Sequence, residues 1–303
     1  MTRIGRRLGT LLAAGGVGLL SIPLIAQSPP VFGVAVETVW VDVFVSRRDT
    51  PVMELAAADF ELFDNGVRQQ VSVADRNAVG VTAVLVLDTS ESVRGPRLEE
   101  LKGACRALLD GLAARDRAAL LTFSHALELR APASADRGEL DRALALVTAT
   151  GATSAFDALY AALKHPWPPR AMVLLFTDGW DTLSWLGPDE VLRAARESEA
   201  LVHVVGPARD DDGEGETGQH GRLREIAETT GGRFWELPTD GGLKDRFLKI
   251  LATTQARYLL SYEPRGVERS GRHRLRVRVK GSDLDVRHRL EYSVPRAPAS
   301  RRN

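Results

Sequence analysis

A single cysteine, Cys105, stands in 303 residues, so no intramolecular disulfide can form and no zinc ribbon or iron–sulfur cluster can be ligated. The six histidines have no metal-ligand or catalytic spacing, and neither a P-loop nor a G-x-S-x-G nucleophile turn occurs. Lysine is scarce too: it supplies five of the 40 basic residues, at positions 102, 164, 244, 249 and 280. Apolar runs of membrane-spanning length are missing everywhere except at the N-terminus. What is there is 44% hydrophobic and 26% charged, an ordinary globular composition that excludes a disordered or collagen-like chain. The length suits one large domain with a smaller companion, or two domains.

The N-terminus is set apart from the rest. Arg3, Arg6 and Arg7 precede an uncharged stretch from Leu8 to Val36, whose greasy part ends at Leu24-Ile25-Ala26. A basic start, an apolar core and a small residue before a polar one read as a secretory signal peptide over residues 1–26. The competing reading is an uncleaved anchor, since Leu8 to Ile25 gives 18 residues, the lower limit for spanning. Gly9, Gly15, Gly16, Gly18 and Pro23 weigh against a stable anchor helix, and the position of the lone cysteine excludes a lipoprotein. The chain is therefore expected to be exported, to the periplasm, the cell surface or the medium.

Charge is unevenly spread. The whole chain is neutral, yet residues 265–303 hold twelve basic and four acidic residues, a local +8. With residues 1–26 set aside (three arginines and no acid), residues 27–264 carry −11. That step predicts a boundary near residue 264.

Hydrophobic pattern divides the chain further. VAVETVWVDVFV at 34–45 reads as a strand, and Asn65-Gly66 inside FELFDNGVRQQVSV at 60–73 signals a hairpin. From Val81 the pattern changes to continuous apolar runs, the mark of strands buried on both faces, alternating with amphipathic helices. Strands are predicted at 81–87, 118–123, 171–177, 200–206 and 233–236, and helices from Pro96 and over 137–147, 154–163, 190–198, 223–229 and 243–254. This alternation predicts an α/β fold, a doubly wound, mainly parallel sheet over residues 79–255. After Ala256 the chain returns to alternating strands, in RYLLSYE, RHRLRVRVK and DVRHRLEYSV. The N-terminal segment, 27–78, and the C-terminal one, 256–296, are each too small for a core, so the two are expected to pack together as a small β-rich module; residues 297–303 are a tail.

Chemistry concentrates at two strand ends. The strand at 81–87 runs into Asp88-Thr89-Ser90-Glu91-Ser92, and that at 171–177 into Asp178-Gly179. Functional groups in such sheets gather outside the carboxyl ends of strands. Two carboxylates brought together repel unless a cation lies between them, and Ser90 and Ser92 add neutral oxygens at alternate positions. An all-oxygen set suits Mg²⁺, Mn²⁺ or Ca²⁺ and not zinc or copper. Helix capping is the plain explanation for either aspartate alone.

Together, D-T-S-E-S at 88–92, G-A-T-S-A-F-D-A-L at 151–159 and F-T-D-G at 176–179 resemble a von Willebrand factor type A domain over about residues 79–255. These are the three parts of that family's metal-ion-dependent adhesion site. The resemblance implies that Ser90 and Ser92 bind the metal through their hydroxyls. It implies that Thr153, Asp88 and Asp178 act directly or through water, and that one short antiparallel strand edges the sheet, near 118–130. The flanks, DFELFDNGV and RYLLSYEP followed by basic strands, resemble bacterial secreted proteins with domains related to that family.

The function implied is a non-enzymatic adhesion module in which a partner protein's Asp or Glu completes the metal shell. The alternatives are a Mg²⁺-dependent phosphohydrolase and a purely structural envelope protein. Against the phosphohydrolase, Ser90 stands where an aspartate is needed, and the nearest lysine, Lys102, lies well along the first helix. Asp210, Asp212, Glu214 and Gly215 imitate the start of a calcium loop, but the twelfth position is Gly221, so a solvated acidic loop is favoured. Trp180 and Trp185 fall on the rim of the predicted site, as ligand contacts or as core. Arg274, Arg276, Arg278 and Lys280 share one face of a strand. A charged, aggregation-resistant face is the plain reading there, and weak contact with an anionic envelope surface the functional one. Nucleic acid is not an expected partner of an exported protein.

Overall fold

The computed structural model describes residues 38–75, 78–207, 218–237, 242–281 and 283–294. The predicted signal peptide, the tail and the acidic stretch at 210–215 lie outside them. In chain order, β1 (Val39–Arg47), β2 (Thr50–Pro51), β3 (Phe60–Asp64), β4 (Val67–Gln69) and β5 (Ser72–Ala74) come first. Then follow β6 (Thr82–Asp88), α1 (Pro96–Gly111), β7 (Arg117–Phe123), β8 (Leu127–Ser134), α2 (Arg137–Ala145), α3 (Ala155–Lys164) and β9 (Ala171–Phe176). α4 (Pro188–Glu197), β10 (Leu201–Gly206), α5 (Gln219–Thr229), β11 (Arg233–Glu236) and α6 (Leu243–Gln255) complete the alternation. β12 (Tyr258–Tyr262), β13 (Gly271–Val279), β14 (Asp285–His288) and β15 (Glu291–Val294) close the chain.

The six strands β6–β11 form one sheet in the order β11-β10-β9-β6-β7-β8, parallel except for β8. All seven residues of β6 are buried, because helices cover both faces of this sheet. Ala83, Leu85 and Leu87 pack with the apolar stripes of α1, α2 and α6, while Val84 and Val86 pack with those of α3, α4 and α5. Pro96 opens α1 with its φ already helical, and Cys105 sits in the α1 stripe as a small buried hydrophobe. Asp136 caps α2 by accepting from the Gly138 and Glu139 amides. The antiparallel edge strand is Leu127–Ser134 and not the 118–123 run, whose strand is parallel. Its pattern hid it: Leu127 to Arg130 are exposed, so no alternation appears.

The flanking strands form two further sheets, β14-β1-β12-β5 with β2 on the side of β1, and β15-β13-β3-β4. Each mixes strands from both ends of the chain: β1 pairs with β12 and β14, and β3 with β13. Val41, Val43, Val45 and Leu260 of one sheet share a core with Phe60, Leu62, Leu275, Val277 and Tyr292 of the other. Where one long strand was expected at 285–294, the chain changes sheets. Leu290 donates its amide to the Thr229 carbonyl, and the Arg289 guanidinium reaches the Ser198 carbonyl at 3.0 Å. The change between β4 and β5 divides the expected 67–73 strand in the same way. The hairpin turn is as its residues demand, with Asn65 and Gly66 both at positive φ.

Candidate metal-binding site

Parallel pairing sets the site. Leu87 lies opposite Phe176, so the chain leaves β6 and β9 side by side and brings Asp88 and Thr177-Asp178 together. Asp88 is fully buried, and each of its oxygens is engaged. Oδ1 accepts the Ser90 amide at 2.8 Å and Oδ2 the Thr177 hydroxyl at 2.7 Å. Burial raises the Asp88 pKa above the ordinary carboxylate value; the hydrogen bonds from Ser90 and Thr177 offset part of that, and the Asp178 charge adds to it.

A 3-10 turn at Glu91–Val93 carries the two serines to one point. Their hydroxyl oxygens are 3.0 Å apart, and Ser92 donates to Asp178 Oδ1 at 2.7 Å. The Thr153 loop is tied to the same turn, since the Thr150 amide donates to the Thr89 carbonyl and the Glu91 amide to the Gly151 carbonyl. Gly179 shows where these groups converge. A Cβ built there would meet Ser92 Oγ at 3.5 Å and Thr153 Oγ1 at 3.9 Å, so both hydroxyls face the space beside a residue without a side chain. The five residues named from the sequence thus lie in one neighbourhood: Asp88, Ser90, Ser92 and Asp178 are linked by successive hydrogen bonds, and Thr153 stands across Gly179 from Ser92. Among the described residues no group of three or more His, Cys, Asp or Glu converges to hold a metal. The donors here are two carboxylates and three hydroxyls, a hard and weakly anionic set that fits Mg²⁺, Mn²⁺ or Ca²⁺.

The sequence did not single out the groups that hold the rim. Asp181 accepts the Phe156 amide at 2.8 Å and the Ser184 amide at 2.9 Å. Its own backbone is clasped by Gln219, whose amide group accepts from Asp181 N and donates to Asp181 O, both at 2.8 Å. Asp157 accepts the Trp185 and Leu186 amides, and the Thr153 carbonyl accepts from Thr182 and Leu183. On this fastened loop Trp185 is 93% exposed and Leu183 43% exposed. Trp180 is half-buried against the His220 ring, with centroids 5.0 Å apart. The two tryptophans thus differ: one is presented to solvent and the other is packed.

Residues 83–180 match the family described as von Willebrand factor type A domain. Inter-alpha-trypsin inhibitor heavy chain H4 of Sus scrofa is 26% identical over 237 residues, covering 72% of this chain and 25% of its own. The Homo sapiens protein of that name is 25% identical over 231 residues, covering 70% and 24%. The chain matches only that quarter of these relatives' length. A solved structure, von Willebrand factor type A from Catenulispora acidiphila, is similar at TM-score 0.51 and 14% identity, over 84% of this chain and 74% of that one. That likeness is one of fold.

Proposed function

We propose, from the premise that this chain carries a von Willebrand factor type A domain, that it is an exported, non-enzymatic binding module whose strand-end oxygens hold a divalent cation. The observation that carries this reading is that the Ser92 and Thr153 hydroxyls meet beside Gly179, while Ser92 also contacts the Ser90 hydroxyl and the Asp178 carboxylate, with Asp88 bonded to the Ser90 amide behind them. The three hydroxyls would hold Mg²⁺, Mn²⁺ or Ca²⁺ as neutral ligands, and the two carboxylates would hold it directly or through water. Such a cation, left electrophilic by so few anionic ligands, offers a position to an Asp or Glu carboxylate of a partner protein.

The protein's own contribution is positioning. Thr177 and the Ser90 amide fix both oxygens of Asp88, so that carboxylate cannot swing away. Asp157, Asp181 and Gln219 hold the rim so that Trp185 and Leu183 stand out beside Thr153. A partner's acidic residue flanked by an apolar side chain is the ligand this rim suits. The phosphohydrolase reading gains nothing here. Lys102 is buried in α1, with its ammonium 3.4 Å from the Ala145 carbonyl and 3.3 Å from Glu99.

Two measurements test the proposal. Millimolar Mg²⁺ or Mn²⁺ is expected to raise Tm by mass action, with Ser90→Ala/Ser92→Ala losing the response. Capture of partners from cell envelope is expected from the wild type in metal, and from neither the wild type in chelator nor the double variant. Identical melting curves in metal and in chelator would sink the cation. Metal-dependent turnover of an aryl phosphate, lost in Asp88→Ala, would sink the non-enzymatic part.

A further inference from the structure

The outer face of the sheet β15-β13-β3-β4 carries a row of cations that the site above does not use. Along β13 the side chains alternate without a break. His273, Leu275 and Val277 are buried, and Arg272, Arg274, Arg276, Arg278 and Lys280 are exposed. Alternate residues of a strand lie about 7 Å apart, so the row extends over about 27 Å. The two acids of this face, Glu291 opposite Arg274 and Glu61 opposite Arg278, are paired with other arginines. Glu291 lies between Arg272 and Arg196, which hold its pKa below the usual carboxylate value against the effect of its partial burial, and Glu61 pairs with Arg68 at 3.0 Å. Among the described residues no carboxylate lies within 4.0 Å of Arg274, Arg276, Arg278 or Lys280. Phe63, half-buried, sits in the same face opposite Arg276, with the Arg278 guanidinium 5.8 Å from its ring centroid.

The placement of this face matters as much as its charge. β15 joins α4 through the Arg196–Glu291 pair, and the segment before it bonds to the last residue of α5. The C-terminal ends of α4 and α5 lie at the amino end of the parallel sheet, whereas Asp88 and Asp178 lie at its carboxyl end. The module is therefore at the opposite end of the sheet from the candidate metal site. Residues 27–264 carry −11, so an anionic surface is repelled by the net charge of the body and attracted by this row.

We infer that the Arg274–Arg276–Arg278 face docks the protein on an anionic phospholipid surface, independently of divalent metal. Three features select a lipid surface over a single polyanionic chain. The cations project from a sheet face, which meets a surface, instead of lining a groove, which would hold a strand. Three of the four that lack a carboxylate partner are arginine, whose planar fork accepts phosphate oxygens in pairs where an ammonium offers a point charge. The aromatic ring among them, Phe63, is an apolar group beside cations, the combination that rests at the boundary between headgroups and acyl chains.

Full-length protein sedimented with vesicles of phosphatidylcholine, with and without phosphatidylglycerol, tests this. Wild type is expected to bind the anionic vesicles, to bind the neutral ones less, and to dissociate at high salt but not on chelation. Arg274→Glu/Arg276→Glu/Arg278→Glu is expected to lose at least about tenfold in binding to anionic vesicles. Reversing three exposed arginines of the helical layers instead, Arg106, Arg142 and Arg193, is expected to keep it. All variants carry the same N-terminal segment, so differences among them belong to the face. If the reversed variant melts lower than wild type, Arg274→Gln/Arg276→Gln/Arg278→Gln takes its place. Equal binding by the substituted and wild-type proteins overturns the inference. So does capture by soluble dextran sulfate while vesicles stay bare, which would make an acidic polysaccharide the ligand.

Discussion

His203 shows how much a single buried group decides. Its Nδ1 accepts the Arg233 amide and the Trp235 indole N–H, both at 3.2 Å, so the proton of the neutral ring is on Nε2. Burial, with the nearby Arg257 charge adding to it, lowers its pKa to about 3. The unfolded chain takes that proton near pH 6.5. Between those values acid favours the unfolded chain, by up to about 1.4 kcal/mol per pH unit for one such group. His288, lowered by its burial, acts in the same direction. Stability is therefore expected to fall as pH drops below the unfolded value, and His203→Gln, which keeps an acceptor, should flatten that slope in denaturant titrations run across the acid range. A slope identical to wild type would mean that His203 is hydrated in solution. Legibility at this scale was mixed. Asp88, Ser90, Ser92 and Asp178 stood out because two motifs end buried strands, and Thr153 through the resemblance of residues 151–159 to the family's motif. Asp157, Asp181 and Gln219 did not, because a polar side chain in a loop or the first turn of a helix has the same local sequence whether it binds another loop's backbone or only water.

Elements were legible where pattern and turn chemistry agreed, and obscure where the chain changes sheets. The β6 and β9 strands announce themselves as unbroken apolar runs, and Asn65-Gly66 fixes its hairpin. The divisions at 289–290 and 70–71 depend on contacts with α4, α5 and β12, and no local residue signals them. Two glycines at positive φ separate backbone demand from crowding. Gly66 has open space where a Cβ would project, so Gly66→Ala meets only left-handed strain, about 1 kcal/mol. A Cβ at Gly151 would stand 2.2 Å from His125 Nδ1, on the loop that carries Thr153. Gly151→Ala is expected to cost more than Gly66→Ala in denaturant unfolding, and to weaken the metal-induced rise in Tm. His125 is exposed and can be removed, so Gly151→Ala/His125→Ala should recover the excess. No recovery would locate the whole effect in the backbone.

At the scale of the molecule, the two ends of the chain depend on each other through pairing. β1 has β12 on one side and β14 on the other, with only the two-residue β2 added from its own end. β3 keeps β4 but has its other edge against β13. Arg257, buried where α6 turns into β12, donates to the Asp42 and Arg287 carbonyls and so ties the helical layer to both flanks. Its pKa falls to about 10 through burial, with Asp42 opposing the fall, so it stays charged at neutral pH and depends on those partners. We therefore expect residues 27–78 and 256–296 to act as one β module. Ending the chain at residue 255 strips β1 of both main neighbours and uncovers Val41, Val43, Val45, Phe60 and Leu62, a row of strand side chains beside unpaired backbone. Such an edge is a template for pairing with further copies. The truncated protein should leave size-exclusion columns as aggregate, and light scattering should show mass growing with concentration. Co-expression of residues 256–303 as a separate chain should rescue a monomeric complex, because the lost strands return to the same partners. A truncated protein that stays monomeric without that rescue would show that the N-terminal strands can cover themselves, and that the joint module is a convenience of the fold instead of a condition for it.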